Sequence, residues 1–189
     1  ICNFKLHPSC REIMKNGTLL AAVDLGSNSF RLEICRYSHG LIQRSEYIKE
    51  AVRQGSGLDE DRNLSKEAME RGWECLARFA ERLAGLKPNE VRAVATQTLR
   101  EAKNRHVFLN KAHQLLGFPI EVVSGREEAR LIYLGIAHDK LPGKGKRLVI
   151  DIGGGTSETA VISLGGIVAL EAVRVGSFDI DNAIQNYVR

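Results

Sequence analysis

Apolar and polar residues follow two patterns along the chain, one typical of strands and the other of helices. The segment 19–26, LLAAVDLG, is a nearly continuous apolar run that ends at an acid, as a strand buried on both faces would. The segment 30–37 alternates between apolar and polar residues, and a third run at 41–48 follows turn residues at 38–40. These segments predict a meander of three strands.

Helical periodicity begins after a polar, glycine-rich segment at 53–63. Apolar residues then recur every three or four positions over 69–83, which predicts an amphipathic helix that buries one face. Ser65 is placed to cap this helix, and Glu67 lies in its first turn, where a carboxylate is stabilised. The helix is expected to end before Gly85.

Strands and helices alternate in the next part of the chain. The segment 91–98, VRAVATQT, predicts a strand, and 104–116 predicts a helix that Gly117 closes. The segment 119–125, PIEVVSG, predicts a short strand that leads into another helix. This alternation is typical of layered α/β domains, in which helices cover a sheet.

The opening pattern occurs a second time from Lys146 onward. The chain again reads as a strand, a glycine-rich turn, a strand, a hairpin at Gly165–Gly166, a third strand and a helical tail. The equivalent segments are VDLGSNSFRLEI at 23–34 and IDIGGGTSETAV at 150–161. Such an internal repeat predicts two related lobes with a cleft between them and a boundary within 122–126.

The repeat also sets the expected domains. We expect a first α/β lobe at 14–123 and the first part of a second lobe at 124–189. Because the second lobe contains three predicted strands and the first about five, the second is expected to be truncated. Residues 1–13 precede Met14, which begins a natural-looking start, and are expected to be an extension with little fold content.

The composition, with 43% hydrophobic and 26% charged residues, is ordinary for a water-soluble protein. No apolar run approaches the roughly 18 residues that cross a bilayer.

The four cysteines are scattered, which indicates reduced thiols in a cytosolic protein without disulfides or zinc. The net charge of +4 and the basic cluster at 143–147 leave two interpretations open, a solvated surface or attraction for a polyanion, and we expect no DNA partner.

Two acidic turns occupy the same place in the repeat, DLGSNS at 24–29 and DIGGGTSE at 151–158. Each has a carboxylate at the end of an apolar strand, followed by small residues whose backbone amides can approach a phosphate. Mg²⁺ would bridge the carboxylates and the phosphate. The alternative is a pair of ordinary hairpin turns, but such turns do not require three successive glycines.

Paired turns of this kind in duplicated lobes resemble the actin/Hsp70/sugar-kinase superfamily. Four ordered motifs resemble one of its families, the exopolyphosphatase/guanosine pentaphosphate phosphohydrolase (Ppx/GppA) family: AAVDLGSNSFRLEI, VATQTLREAKN, IEVVSGREEARLIYLGI and LVIDIGGGTSE. This resemblance covers about residues 19–160, whereas 160–189 look more like bacterial actin-like cell-shape proteins. It implies an α/β fold of duplicated ribonuclease H-like (actin-like ATPase) lobes, with the second lobe incomplete.

The segment SGREEARL at 124–131 separates this family from its relatives. Ser124 and Glu127 have the spacing of a helix capping box, so Glu127 has a structural explanation. The resemblance implies that Glu128 is the general base that activates water; the alternative is a solvated helix carboxylate. It also implies that Arg100 is catalytic and pairs with phosphate oxygens; the alternative is a salt bridge at a helix start.

The resemblance assigns the other site residues as well. Asp151 and Glu158 are implied to hold the metal, Mg²⁺, and Glu158 is also implied to be catalytic. The phosphate-binding residues implied by the resemblance are Asp24, Gly26, Ser27, Asn28, Ser29, Gly153, Gly154, Gly155 and Thr156.

These implications lead to one functional hypothesis and two alternatives. The hypothesis is an Mg²⁺-dependent hydrolase that releases terminal orthophosphate from inorganic polyphosphate or the 5′ γ-phosphate from guanosine pentaphosphate (pppGpp). The alternatives are an ATP-binding, actin-like protein that polymerises and an inactive fragment that only binds phosphate. The expected location is the cytoplasm, and the sequence leaves a homodimer open.

Overall fold

The computed structural model describes five stretches of the chain and divides the chain into two units, Ile1–Val122 and Val123–Arg189. The described stretches are residues 15–140, 147–153, 157–163, 166–173 and 175–188. The predicted extension at 1–13 and three predicted phosphate-binding residues, Gly154, Gly155 and Thr156, lie outside the described residues.

The described residues of unit one form a five-stranded sheet, three α-helices and two short 3-10 helices at Gly55–Gly57 and Pro88–Glu90. Its strands are β1 (Leu19–Leu25), β2 (Ser29–Ser38), β3 (Leu41–Ala51), β4 (Val91–Ala95) and β5 (Ile120–Val122), in the order β3-β2-β1-β4-β5. Its helices are α1 (Lys66–Leu83), α2 (Gln97–Glu101) and α3 (Arg105–Leu116). β1, β2 and β3 pair antiparallel, whereas β4 and β5 join the sheet in parallel. The predicted meander and both longer helices are confirmed.

The core of unit one lies between the sheet and the helices α1 and α3. Its largest fully buried side chains are aromatic residues from three elements, Phe30, Phe79 and Phe108. Trp73 of α1 stacks on Phe108 with 5.9 Å between ring centroids, and its indole N–H donates to the Phe108 carbonyl at 3.0 Å. Burying each such aromatic ring stabilises the fold by about 2–3 kcal/mol.

The first turn of α1 has the predicted cap. The Ser65 hydroxyl accepts a hydrogen bond from the Ala68 N–H at 3.2 Å. Glu67 lies in this turn, where a backbone N–H and the Ser65 hydroxyl lower the pKa of its carboxyl group. After the helix, Gly85 adopts a left-handed conformation with φ of +88°, which glycine takes without strain.

The predicted strand over 91–98 is too long, because β4 ends at Ala95 and α2 begins at Gln97. Thr96 donates its N–H to the Leu25 carbonyl of β1 at 3.3 Å, while its own carbonyl accepts the Arg100 N–H at 2.9 Å. Thr96 therefore makes the last sheet contact and the first helical one. β-Branched threonines favour strands by local propensity, but helical hydrogen bonding prevails here.

Where the structure describes unit two, it shows a three-stranded antiparallel sheet and two helices. Its elements are α4 (Gly125–Lys140), β6 (Arg147–Ile152), β7 (Ser157–Ser163), β8 (Gly166–Val173) and α5 (Ser177–Val188), with strand order β6-β7-β8. α4 packs against β7 and β8, and the Arg126 guanidinium donates to the Ile167 carbonyl at 3.1 Å. The strands β6–β8 therefore repeat the meander β1–β3, as the internal repeat predicts.

The composition leads to two expectations, one about the state of the cysteines and one about membrane-spanning helices. Cys35 and Cys75 are buried free thiols, and burial, aided by the nearby Glu50 carboxylate, raises the pKa of Cys75 to about 12. Cys75 is therefore protonated at neutral pH and a poor nucleophile. None of the helices in the described part of the chain is both long and apolar enough to cross a membrane.

Replacing Gln54 with methionine is expected to stabilise the protein. Gln54 is 0% exposed, and neither polar atom of its side chain has a hydrogen-bond partner within the described residues. Because methionine has a similar length and no amide to desolvate, Gln54→Met should raise the free energy of unfolding by about 1–2 kcal/mol. Urea titration of both proteins measures this change. A loss of stability would mean that the amide is hydrogen-bonded in solution.

Candidate functional site

The first acidic turn follows β1 directly, as predicted. Asp24 is half-buried near the end of β1 and stands opposite Arg31 of β2 in the antiparallel register. The Arg31 Nη1 lies 3.8 Å from the Asp24 Oδ2, and the Asp24 side chain is only 14% exposed. The carboxylate is thus partly compensated by a cation from its own sheet.

The turn at 26–29 is tightly folded. A Cβ on Gly26 would lie 2.9 Å from the Ser29 carbonyl oxygen, so only glycine fits without a backbone shift. The Asn28 amide donates to the Ser29 hydroxyl at 3.3 Å, and Ser27 and Asn28 are half-buried. The turn therefore presents small polar groups at the end of a buried strand.

Residues 52–57, most of which belong to the segment 53–63 that the sequence predicts only as a polar loop, lie against this turn. The Arg53 N–H donates to the Asn28 carbonyl and the Gly55 N–H to the Ser27 carbonyl, both at 2.7 Å. A Cβ on Gly55 would lie 3.2 Å from the Thr98 hydroxyl and 3.3 Å from the Ser27 Cβ. The glycines of this segment could have predicted its contact with the turn, because glycine in a packed segment indicates that another part of the backbone lies close to it.

Arg100 reaches the same edge of the sheet through the pairing of β1 with β4. These parallel strands end together, with Leu25 opposite Ala95, and α2 begins directly afterwards. Arg100 is half-buried, and its carbonyl accepts a hydrogen bond from the Arg105 guanidinium at 2.8 Å. Ligands commonly bind outside the carboxyl ends of parallel strands. Unit one therefore brings its predicted residues, Asp24, 26–29 and Arg100, to one edge.

The two acids at the start of α4 differ in their surroundings. The Glu127 N–H donates to the Ser124 hydroxyl at 3.2 Å, as the capping pattern predicts. The Glu127 carboxylate accepts two hydrogen bonds from Arg130, each at 2.7 Å, and raises the pKa of that guanidinium. Glu128 is half-buried and its N–H donates to the Ser124 carbonyl at 2.9 Å. Glu127 thus has a structural role on both its backbone and side chain.

The two predicted metal ligands of unit two are neighbours across the sheet. Asp151 of β6 stands directly opposite Glu158 of β7, so both residues belong to the same face, and Asp151 is exposed. Directly opposite residues have Cβ atoms about 4.5–5.5 Å apart. The Gly153 carbonyl accepts the Ser177 N–H at 2.9 Å, which connects Gly153 with the start of α5.

A larger metal cluster is not seen in the part of the chain that the structure describes, where no three His, Cys, Asp or Glu residues are grouped to hold an ion. The predicted cleft between the two lobes stays a prediction.

Comparisons with known proteins agree with these observations. Residues 34–185 match the sequence model of the Ppx/GppA phosphatase family. A relative from Vibrio vulnificus, named guanosine-5'-triphosphate,3'-diphosphate pyrophosphatase, is 53% identical over 146 residues. The aligned part is 77% of this chain but only 29% of that relative.

Solved structures support the fold. An exopolyphosphatase from Cytophaga hutchinsonii matches with a TM-score of 0.76 and 25% identity, over 88% of this chain and 53% of that chain. MreB5 of Spiroplasma citri bound to ADP matches with a TM-score of 0.55 and 19% identity, over 90% of this chain and 56% of that one, which shows the fold alone. The predicted α/β actin-like fold is thereby confirmed, with part of the second lobe covered. The chain belongs to the Ppx/GppA phosphatase family.

Proposed function

We propose that this chain carries phosphate-binding and catalytic elements of a hydrolase that removes the 5′ γ-phosphate of pppGpp, with inorganic polyphosphate as the second candidate substrate. The observation that carries the proposal is the gathering of the turn 26–29 and Arg100 at the carboxyl ends of β1 and β4. The name of the Vibrio vulnificus relative supports pppGpp as the first candidate. The Cytophaga hutchinsonii structure, an exopolyphosphatase, supports polyphosphate at lower identity.

The residues of unit one suit the charge of a phosphate. Small residues at Gly26 and Ser27 leave backbone N–H groups accessible, and the side chains of Ser27 and Asn28 add donors. An arginine such as Arg100 binds phosphate oxygens through its planar fork of N–H groups. Because phosphoryl transfer depends mainly on positioning and electrostatic stabilisation, such donors would stabilise charge on the transferred group.

Glu128 is the proposed general base. In the reaction, a water oxygen forms a bond to the terminal phosphorus and the bond to the bridging oxygen breaks. The water proton passes to the Glu128 carboxylate, and the leaving oxygen carries away the electron pair. Glu127 is less suited to this role because its carboxylate is held by Arg130. Glu128 lies in the first helical turn of α4 and is half-buried, so its backbone position is fixed by the start of the helix.

Mg²⁺ is the proposed cofactor, and Asp151 and Glu158 are its proposed ligands. Like charges directly opposite each other in a sheet are destabilising unless a cation lies between them. Two carboxylates, with water and phosphate oxygens, are a donor set that Mg²⁺ prefers. The bound ion would neutralise charge on the phosphates.

Glu128→Gln is expected to lower kcat for release of orthophosphate from pppGpp by about 10²–10⁴-fold, with little change in KM, because a general base contributes about this much. The matched control is Glu127→Gln, which keeps the cap to Ser124 and loses the exposed ion pair with Arg130, worth at most about 1 kcal/mol. Orthophosphate release from pppGpp and from polyphosphate, with Mg²⁺ present, measures both variants.

Three results would contradict this assignment. An equal decrease of kcat in Glu128→Gln and Glu127→Gln would show that Glu128 is not the general base. No turnover by a folded wild-type chain would favour a phosphate-binding fragment. ATP-dependent sedimentation without phosphate release from either substrate would favour the actin-like alternative. A homodimer and a cytoplasmic location stay predictions.

Mg²⁺ is expected to stabilise the wild-type protein against heat and to have no such effect on Asp151→Asn. At ten times its dissociation constant the ion would add about 1.4 kcal/mol, which raises the Tm by roughly 3–5 °C. Without Mg²⁺, Asp151→Asn should be equally or more stable, because the repulsion from Glu158 is lost. Calorimetry with and without Mg²⁺ measures both effects. Asp181→Asn, an exposed acid on α5, is the control, and a full Mg²⁺ shift in Asp151→Asn would refute the assignment.

A further inference from the structure

Residues 52–57, here named the bracing segment, support the turn 26–29 from one side. Two of their backbone N–H groups donate to consecutive carbonyls of the turn. The Arg53 N–H donates to the Asn28 carbonyl and the Gly55 N–H to the Ser27 carbonyl, both at 2.7 Å. A rigid turn is needed for any role of its amides in binding phosphate, because a displacement of about 1 Å can reduce catalysis by 10²-fold.

The bracing segment has a conformation that needs support. Arg53 is in the left-handed region with φ of +51°, which costs a non-glycine residue roughly 1 kcal/mol or more. Gly57 is packed so closely that a Cβ there would collide with that of Ala68. Val52 is buried at 3% exposure. The strained Arg53 therefore lies in a segment whose two ends, Val52 and Gly57, are tightly packed.

Arg71, on the second turn of α1, holds this segment by its backbone. Its Nε donates to the Val52 carbonyl at 2.9 Å, and its Nη2 donates to the Arg53 carbonyl at 3.3 Å. The Ser56 hydroxyl donates to the same Arg53 carbonyl at 2.8 Å. Hydrogen bonds from a charged guanidinium are roughly twice as strong as neutral ones. One side chain thus fixes both peptide groups on either side of the strained Arg53.

Other arginines of α1 make a different kind of contact. Arg78 and Arg82 pair with carboxylates of β3, those of Glu50 and Glu46. These exposed ion pairs connect a helix with a strand and do not involve the bracing segment. Arg71 differs because its partners are backbone carbonyls of the bracing segment, and this segment itself donates hydrogen bonds to the turn.

We propose that Arg71 is a positioning residue of the phosphate-binding turn. It acts through the bracing segment, since loss of its fork would leave two carbonyls without their charged donor and release the strain at Arg53. The N–H groups of Arg53 and Gly55 would then move away from the turn, and Ser27 and Asn28 would lose their fixed position. The proposal rests on the proposed function only in treating this turn as the one that binds phosphate.

The test compares Arg71→Met, Arg71→Lys and the control Arg82→Met in the full chain. Methionine keeps the apolar stem and removes every donor, whereas lysine keeps the charge and one donor group. Hydrogen–deuterium exchange of peptides covering 25–31 and 52–58 reports on the brace directly. Steady-state hydrolysis of pppGpp gives kcat and KM, and urea titration shows that each variant is folded.

Exchange over 52–58 is expected to be at least about tenfold faster in Arg71→Met, intermediate in Arg71→Lys and unchanged in Arg82→Met. The kcat should fall by about 10–100-fold in Arg71→Met with less than about threefold change in KM. Unchanged exchange over both peptides would overturn the proposal. An unchanged kcat with a raised, salt-dependent KM would also overturn it, because Arg71 would then act by its charge alone.

The same experiment separates this inference from the proposed function. Faster exchange in Arg71→Met, together with no hydrolysis by any variant or the wild type, would support the brace and refute the hydrolase. Hydrolysis by the wild type with unaltered exchange in Arg71→Met would do the opposite. If Arg71→Met does not fold, the comparison of Arg71→Lys with Arg82→Met decides by the same criteria.

Discussion

The parallel pairing of β1 with β4 determines where the chemistry of unit one lies. Leu25 and Ala95 end these strands opposite each other, and the hydrogen bond from Thr96 to Leu25 extends the pairing by one residue. The turn 26–29 and the helix α2 must therefore begin at the same edge. β1 is buried on both faces, so a slip of one residue would exchange side chains of different size between two packed faces.

Close packing, more than hydrogen bonding, explains the glycines around this edge. Gly26 and Gly55 lie where an added Cβ would meet backbone or neighbouring side chains. The position of the turn thus depends on contacts from a segment more than twenty residues away in the sequence. The same dependence makes this edge sensitive to substitutions that remove no ligand-binding group.

Local patterns allowed much of the fold to be predicted from sequence, and non-local contacts account for what was missed. The meander, the Ser65 cap and the interpretation of Glu127 follow from short-range rules of alternation and capping, and the structure agrees with each. The predicted end of β4 was wrong because Thr96 and Thr98 extend a strand-like pattern. In the structure the Arg100 N–H donates to the Thr96 carbonyl, and this hydrogen bond begins a helix instead. The contact of residues 52–57 with the turn has no periodic signature, so the sequence showed only a polar loop.

The repeat itself bears on where a cation is needed. Asp24 and Asp151 occupy equivalent positions in the two repeats, and the residues that face them, Arg31 and Glu158, are equivalent as well. Unit one therefore places a cation beside its acid, whereas unit two places a second acid there. Acidic residues at directly opposite sheet positions are destabilising by a few tenths of a kcal/mol to about 1 kcal/mol, and a bound divalent ion would offset that cost. This charge difference at one repeat position is the physical basis of the proposal that Asp151 and Glu158, rather than Asp24, bind Mg²⁺.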